Sequence, residues 1–248
     1  MFVYLVQRKE SVNNMIYGAV LAGGVGSRMQ NSDLPKQFLE LENKPIIIHT
    51  LEKMLMNDRI DVVYIGITPA WLSFCEDLVI KSGLAGERVR IVAGGADRNG
   101  TIINIINDIK GRTDIGDNDI IVTHDAVRPF LTQRIIDDNI DAALKFGACD
   151  TVVKASDTIV RSEDGKCITE IPDRAPLYQG QTPQSFKLNL LDRCFAEMTA
   201  EESAILTDAC KICVLKGHPV ALVDGEVLNF KITTVGDYQM ARAMLLIK

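Results

Sequence analysis

The chain lacks the features that mark membrane proteins and general nucleic-acid binders. Its 248 residues contain no apolar run that approaches the roughly 20 residues of a membrane-spanning helix. Lysine and arginine number 27 against 33 aspartate and glutamate, and the resulting net charge of -6 argues against binding to a phosphate backbone in general. We therefore expect no membrane partner and no nucleic-acid partner.

Cysteine and histidine are too scattered for a disulfide framework or a zinc site. The six cysteines include one Cys-x-x-Cys pair, Cys210 and Cys213, and the three histidines do not supply the spacing of a zinc site. The N-terminal apolar run is too short for a secretory signal, so reduced thiols and a cytoplasmic location are expected. With 47% hydrophobic and 24% charged residues, the composition is typical of a globular protein with a substantial core.

The first 150 residues alternate short hydrophobic runs with helical patterns, which predicts an α/β fold with a mostly parallel sheet flanked by helices. Four predicted strands, at residues 17–22, 62–67, 89–92 and 120–123, are too apolar to be half-exposed. Residues 149–154 are predicted to form another strand. The predicted helices start at Pro45, follow Pro69, and cover residues 101–109 and 132–146.

The pattern changes after about residue 155. Residues 157–161 and 167–171 flank an Asp-Gly turn, which predicts a protruding β-hairpin arm at about residues 156–180. An isolated hairpin is marginal in water, so the arm is expected to pack on another subunit or over an active site. Further helices are predicted near residues 188–195, from Thr207 and from Val235, and further strands at residues 220–223 and 227–232. Residues 1–15 are expected to be an N-terminal arm or extended start, and residues 16–248 a single domain.

The strongest local signal is a buried strand that runs directly into a glycine-rich loop, from Ala19 to Met29. Glycines let backbone N–H groups approach phosphate oxygens because no Cβ stands in the way. The loop lacks the Gly-Lys-Ser/Thr of a Walker A motif, and Met29 stands where a dinucleotide fingerprint has its third glycine. Arg28, and Lys36 in the following Pro-Lys-Gln, place two cations beside the loop, where fixed charge can stabilise a reacting phosphate. Solvated surface cations are the alternative.

Two further segments place polar residues where parallel sheets bind ligands. The segment from Gly94 to Thr101 follows a predicted strand, and its backbone amides and the Thr101 hydroxyl can recognise a nucleobase, although helix capping alone would explain Asn99 or Thr101. Asp125, in Thr-His-Asp-Ala-Val-Arg-Pro, ends another strand and can hold Mg²⁺ beside triphosphate oxygens. A lone aspartate at a strand end is more often a cap, and His124 is read as structural.

Seven segments in order resemble the cytidylyltransferase family that includes the methylerythritol 4-phosphate and ribitol 5-phosphate enzymes. Besides the glycine loop, Pro-Lys-Gln, Gly-Gly-x-x-Arg and His-Asp-Ala-x-Arg-Pro, they are Thr-Pro-Gln-x-Phe from Thr182, Thr207-Asp208, and Asn-x-Lys-x-Thr from Asn229. The resemblance covers about residues 16–247. It implies a Rossmann-like domain, CTP and a polyol phosphate as substrates, Mg²⁺ as cofactor, and a homodimer formed through the β-arm. In this family the acceptor phosphate attacks the α-phosphorus of CTP and expels pyrophosphate.

The resemblance also implies a role for each candidate site residue. The implied catalytic residues are Arg28, Lys36, Arg174 and Lys231. Nucleotide binding is implied for Leu21, Ala22, Gly23, Gly24, Gly26, Ser27, Gly95, Asp97, Arg98, Asn99, Thr101 and Asp125. Acceptor binding is implied for Arg128, Arg174, Thr182, Thr207, Asp208 and Lys231, and Asp125 is the implied metal ligand. Arg174 would act from the arm, in its own or the neighbouring subunit. Ala96 departs from the family pattern, which often has an acidic residue there for base recognition.

Residues 177–186 and 206–213 resemble the ribitol branch more than the methylerythritol branch. We therefore expect CDP-ribitol and pyrophosphate to form from CTP and D-ribitol 5-phosphate, for a teichoic-acid-like or capsular polymer. The alternative acceptor is methylerythritol 4-phosphate, for isoprenoid synthesis.

Two other classes of protein remain open. An oxidoreductase would need the missing third glycine, and a non-catalytic sensor would bind CTP without releasing pyrophosphate.

Overall fold

The computed structural model describes residues 14–23 and 34–246. The strands are β1 (Ile16–Ala22), β2 (Glu40–Leu41), β3 (Lys44–Pro45), β4 (Val62–Ile67), β5 (Val89–Ala93), β6 (Ile120–Asp125), β7 (Ala148–Lys154), β8 (Tyr178–Lys187) and β9 (Ala221–Asp224). The helices are α1 (Ile46–Leu55), α2 (Leu72–Lys81), α3 (Arg98–Lys110), α4 (Gln133–Phe146), α5 (Leu188–Ala196), α6 (Ala200–Ile205), α7 (Ala209–Leu215) and α8 (Val235–Leu246). Across these two ranges, no helix has the length and apolarity that a bilayer crossing requires.

A seven-stranded sheet in the order β5-β4-β1-β6-β8-β7-β9 organises these elements. The strands β5, β4, β1 and β6 run parallel, whereas β8 runs antiparallel to both β6 and β7. Every residue of β1 is buried, because it has a parallel neighbour on each side and helices on both faces. The predicted class, a Rossmann-like α/β fold with a mostly parallel sheet, is confirmed.

Hydrophobic residues form one layer on each face of the sheet. Val20, Ile65 and Val122 pack with α1, α2 and α4 on one face, and the alternate residues Ala19 and Ile121 pack with α3, α5 and α7 on the other. Successive side chains of a strand point to opposite faces. Asp125, four residues after Ile121, therefore belongs to the face that α3 covers.

The strand β8 is the main element that the sequence does not predict. It lies in the middle of the sheet but contains Gly180 and Pro183, and proline lacks the N–H that a ladder needs. The pairing of β7 with β8 is irregular between Asp150 and Val152, and Pro183 falls within that irregular stretch. A bulge of this kind tolerates proline inside a sheet.

Three predicted strands are wrong. Residues 157–161 and 167–171 form no strands, and a single bridge between Arg161 and Glu170 is their only pairing in the described chain. The turn itself forms, since Asp164 Oδ1 accepts hydrogen bonds from the N–H groups of Lys166 and Cys167. The arm's side chains are nearly all exposed, so no packed face holds its two sides together. Residues 227–232 are also not a strand; they form a turn and an extended segment that carries Lys231.

Candidate active site

The candidate site is a crevice at the carboxyl ends of β1 and β6. The chain leads from β1 to β4 and β5 on one side, then returns to β6 on the other side of β1. A parallel sheet binds ligands at such a reversal of strand order, outside the carboxyl ends of the strands. The crevice encloses about 250 Å³, and the end of β1, Lys36, the start of α3, Asp125 and Lys231 contribute to its walls.

Asp125 is the electrostatic centre of the crevice. Its Oδ1 lies 3.4 Å from Arg98 Nε, and its Oδ2 lies 2.9 Å from Lys231 Nζ and 3.6 Å from Arg128 Nε. Burial alone would raise the pKa of Asp125, but the charges of these three cations outweigh burial and hold the pKa well below its usual range. One carboxylate therefore faces three cations, which leaves the site with a net positive charge suited to phosphates.

A buried chain of hydrogen bonds fixes the backbone behind Asp125. The N–H of Asp125 donates to Thr182 Oγ1 at 3.1 Å, and that oxygen lies 2.9 Å from His124 Nδ1. His124 Nε2 lies 3.0 Å from the Arg128 carbonyl, which can only accept, so Nε2 carries the proton and Nδ1 accepts from Thr182. Burial lowers the pKa of His124 to about 4, which keeps its ring neutral. The hydroxyl of Thr182 is thus engaged within the protein.

Lys36 is held at the crevice by its neighbours in the chain. The buried side chain of Gln37 donates a 2.8 Å hydrogen bond to the carbonyl of Ala22 at the end of β1. Phe38 packs its ring against Trp71 and Phe74, with ring centroids 5.5 and 4.8 Å apart. Because Gln37 and Phe38 are both anchored, Lys36 stays beside the carboxyl end of β1 in the wall of the crevice.

The turn before α3 is built by Thr101 and two glycines. The N–H of Gly95 donates to Thr101 Oγ1 at 3.1 Å, and the Thr101 hydroxyl donates to the Asp97 carbonyl at 2.8 Å. A Cβ on Gly95 would lie 2.4 Å from the Gly100 carbonyl carbon, so only glycine fits. The carboxylate of Asp97 caps α3 through the N–H of Gly100. Contacts of this turn with a nucleobase stay a prediction.

The structure brings together many of the predicted site residues, but not all of them. Those that line the crevice are Leu21, Ala22, Gly23, Lys36, Asp97, Arg98, Thr101, Asp125 and Lys231. Gly24, Gly26, Ser27 and Arg28 lie outside the described residues. Arg174 is exposed on the arm, where it donates to the Ser156 carbonyl, and it does not line the crevice of its own chain. Arg128 and Thr182 lie behind Asp125, and Asn99 is buried beside the Gly95 turn.

Thr207 and Asp208 lie before α7. Thr207 is exposed, and Asp208 caps the helix by accepting the N–H of Lys211 at 3.0 Å. The helix predicted from Thr207 therefore begins two residues later, at Ala209, and the predicted acceptor contact of Thr207 and Asp208 stays untested. The sequence gives no role to Gln37, although it falls in the quoted Pro-Lys-Gln motif. The hydrogen bond between His124 and Thr182 could not be predicted from the sequence either, because 58 residues separate them.

The fold and this cation-rich crevice define an α/β protein that binds a phosphorylated ligand at the reversal point of its sheet. The family model described as 2-C-methyl-D-erythritol 4-phosphate cytidylyltransferase (IspD) matches residues 16–246. The chain belongs to this family of cytidylyltransferases, and it is therefore a CTP-dependent nucleotidyltransferase.

Solved structures support the same fold. The 4-diphosphocytidyl-2C-methyl-D-erythritol synthase of Anaerococcus prevotii is 25% identical with a TM-score of 0.76, over 94% of this chain and 97% of that chain. The 2-C-methyl-D-erythritol 4-phosphate cytidylyltransferase of Francisella tularensis is 24% identical with a TM-score of 0.78, over 93% and 99% of the two chains. The Thermus thermophilus enzyme of that name is 24% identical with a TM-score of 0.72, over 94% and 100%.

Replacing Gln37 by leucine should lower kcat about tenfold, because Lys36 loses its anchor to β1. A tenfold decrease corresponds to about 1.4 kcal/mol of lost transition-state stabilisation. The unpaired Ala22 carbonyl should also cost about 1–2 kcal/mol of stability. Gln133→Leu is the matched control, since Gln133 Nε2 likewise donates to a backbone carbonyl, that of Lys53, away from the crevice. Kinetics and thermal unfolding of both variants check this. An equal kcat in the two variants would show that the anchor does not position Lys36.

Proposed function

We propose that this chain transfers the cytidylyl group of CTP to D-ribitol 5-phosphate and releases pyrophosphate and CDP-ribitol. The observation that carries the proposal is the crevice in which Lys36, Asp125 and Lys231 meet at the reversal point of the sheet. Both substrates are strongly anionic, so a site with more cations than carboxylates is what their encounter requires. The product would supply a ribitol-phosphate polymer of the teichoic-acid or capsular kind.

The reaction is an in-line displacement at phosphorus. An oxygen of the acceptor phosphate forms a bond to the α-phosphorus, and the bond from that phosphorus to the bridging oxygen of pyrophosphate breaks with its electron pair. No proton-transfer residue is needed, because the nucleophile is already an anion. Lys36 stands at the β1 side of the crevice and Lys231 at the β6 side, so the two charges can serve different phosphate oxygens. Asp125 holds Lys231 in place through the 2.9 Å contact.

Enzymes of this family use a divalent metal ion, and the crevice fits Mg²⁺ as a partner of the triphosphate. Mg²⁺ prefers one or two carboxylates together with phosphate oxygens and water. Asp125 offers one ionised carboxylate at the crevice. Among the described residues, no group of three His, Cys, Asp or Glu side chains could hold a metal on its own. We propose that Asp125 is a protein ligand of an ion that enters with CTP and neutralises phosphate charge.

The second candidate acceptor is methylerythritol 4-phosphate, and the comparisons favour it. The family model and the similar solved structures carry the names of methylerythritol enzymes. Ribitol 5-phosphate is favoured by this chain's own residues 177–186 and 206–213, which resemble the ribitol branch. At 24–25% identity the solved structures establish the fold, whereas acceptor choice depends on a few side chains.

Pyrophosphate release measured with each acceptor separately, in the presence of CTP and Mg²⁺, distinguishes the two candidates. We expect the larger kcat/KM with ribitol 5-phosphate. A larger value with methylerythritol 4-phosphate would make the second candidate the function. No release with either acceptor would contradict the proposed acceptor class.

We also propose that the arm joins two chains into a homodimer. Val160, Ile168 and Ile171 are 50%, 59% and 60% exposed, on a segment that has no core of its own. Burying them against a second copy would be favourable, and Arg174 on the same arm could then reach a neighbouring crevice. Light scattering should report twice the 27.3 kDa chain mass. A monomer at assay concentrations would contradict the dimer.

A further inference from the structure

Lys231 lies in a stretch of chain that has no regular secondary structure of its own. The residues between β9 and α8 form a turn and then an extended segment that carries Lys231. We infer that the side-chain amides of Gln181 and Asn229 form a clasp that fastens this stretch to β8 and so positions Lys231 for the transfer reaction. Neither amide lines the crevice, so both are positioning residues. The inference rests on the proposed role of Lys231 in the transferase and deepens it.

The side chain of Gln181, on β8, is engaged at both ends within the protein. Its Nε2 donates to the Glu226 carbonyl at 2.8 Å, and its Oε1 accepts from Asn229 Nδ2 at 3.2 Å. The same carbonyl accepts the N–H of Asn229 at 2.9 Å, which closes the turn. Gln181 is 8% exposed, so water competes little for these bonds. The Glu226 carboxylate also pairs with Arg134, but on the surface, where such pairs contribute little. Gln181 thus holds both ends of the turn that precedes Lys231.

Asn229 ties the turn to the residue that also supports Asp125. Its Nδ2 donates to the Thr182 carbonyl at 2.8 Å, and the Thr182 hydroxyl accepts the N–H of Asp125. The Asn229 carbonyl accepts from Arg128 Nη1 at 2.8 Å. Asn229 is fully buried, and its Oδ1 has no hydrogen-bond partner among the described residues. An unpaired buried oxygen costs stability, so this side chain contributes through its N–H donors. Asp125 and the segment of Lys231 are therefore fixed to one common residue.

Apolar packing holds the chain after Lys231 but not the turn before it. Ile232 is fully buried in a hydrophobic cluster, and its N–H donates to the Val127 carbonyl at 2.9 Å. In the turn, by contrast, Val227 and Leu228 are 79% and 55% exposed. Burial of these two side chains therefore contributes little, and hydrogen bonds fix the turn.

The ion pair with Asp125 does not by itself keep Lys231 in place during the reaction. Lys231 Nζ lies 2.9 Å from Asp125 Oδ2, and phosphate oxygens that enter the crevice compete for the same ammonium protons. The clasp joins neutral amides and carbonyls, so its hydrogen bonds do not depend on the charge of the substrate. Asp125 thus supports the ammonium group, whereas the clasp fixes the backbone that carries it. A displacement of about 1 Å at a reacting centre can cost much of the rate.

Gln181→Leu tests the clasp, and Gln133→Leu is its matched control. Gln133 makes the same two kinds of contact elsewhere, because its Nε2 donates to a backbone carbonyl at 2.9 Å and its Oε1 accepts from Asn57 Nδ2 at 3.0 Å. Gln181→Leu should fold, since Asn229 keeps its bond to the Thr182 carbonyl. We expect its kcat for pyrophosphate release to fall about tenfold, and that of Gln133→Leu to stay unchanged. Calorimetric titration with α,β-methylene-CTP counts the folded sites, so loss of folded protein does not lower the measured kcat.

The Lys231→Ala background shows whether Gln181 acts through Lys231. Pyrophosphate release is followed over hours at high enzyme concentration, with ribitol 5-phosphate and with methylerythritol 4-phosphate. Gln181→Leu should lower the rate no further in this background, because no charge is left to position. A merely structural effect would lower the rate by the same factor in both backgrounds.

The outcomes separate the clasp from the transferase. An equal kcat in Gln181→Leu and Gln133→Leu would overturn the clasp. A further loss of about tenfold in the Lys231→Ala background would overturn the link to Lys231. Either result leaves pyrophosphate release by the wild type, and therefore the proposed transferase, intact. No release by the wild type with either acceptor would contradict the proposed function, and the clasp would fall with it.

Discussion

Replacing Asp125 by asparagine is expected to remove most of the activity and a large part of the stability. Asparagine keeps the shape of the side chain but leaves Arg98, Arg128 and Lys231 crowded together without a counter-charge. The Asp125 and Arg128 side chains are each 10% exposed, so water screens them little. Removing one partner of a buried charge network costs about 3–5 kcal/mol of unfolding free energy. The kcat should fall at least about 10²-fold, since Lys231 loses its support.

Urea denaturation at several pH values checks the stability part of this prediction. The folded-state pKa of Asp125 lies below its unfolded value, so its stabilisation is present above the unfolded pKa of about 3.9 and is lost as pH falls through the folded value. The gap between wild type and Asp125→Asn should persist across neutral pH and shrink in strong acid. Asp141→Asn is the control, because its pair with Arg59 is exposed and is worth about 0–1 kcal/mol. A variant as stable as the wild type at neutral pH would contradict the charge network.

Replacing Lys36 by alanine should lower kcat about 10²-fold, or about 3 kcal/mol, because a fixed positive charge beside the reacting phosphorus is lost. The fold should survive, since Lys36 is half-buried in a short 3₁₀ turn that Gln37 and Phe38 anchor. Lys110→Ala is the matched control; Lys110 pairs with Asp192 on the surface, away from the crevice. An unchanged kcat in Lys36→Ala would remove this residue from the mechanism.

The parallel half of the sheet could be predicted because its strands are buried on both faces and therefore appear as continuous apolar runs. The predicted strand at residues 62–67 coincides with β4, and the runs around Val20 and Val122 became β1 and β6. Ligands bind at the carboxyl ends of parallel strands, so the order of these strands in the chain also predicted that Lys36 and Asp125 lie in one crevice. Both residues do line that crevice.

The antiparallel half could not be predicted in the same way. The strand β8 is polar along much of its length and contains Pro183, and its place between β6 and β7 depends on pairing partners distant in sequence. The roles of Thr182 behind Asp125 and of Gln181 beside Asn229 follow from that placement. The two strands predicted on either side of Asp164 are absent for a different reason, although the turn and one antiparallel bridge between Arg161 and Glu170 do form. A turn signal fixes a turn, but strands need a packed face, which the arm does not have.

The central claim is that this crevice moves the α-phosphoryl group of CTP onto an acceptor phosphate. Incubation with CTP labelled at the α-phosphorus, Mg²⁺ and ribitol 5-phosphate tests it most directly. We expect the label to appear in CDP-ribitol, with an equal amount of pyrophosphate, and to do so far more slowly with Lys36→Ala. Label that stays in CTP or appears only as CMP, with every polyol phosphate offered, would contradict the account.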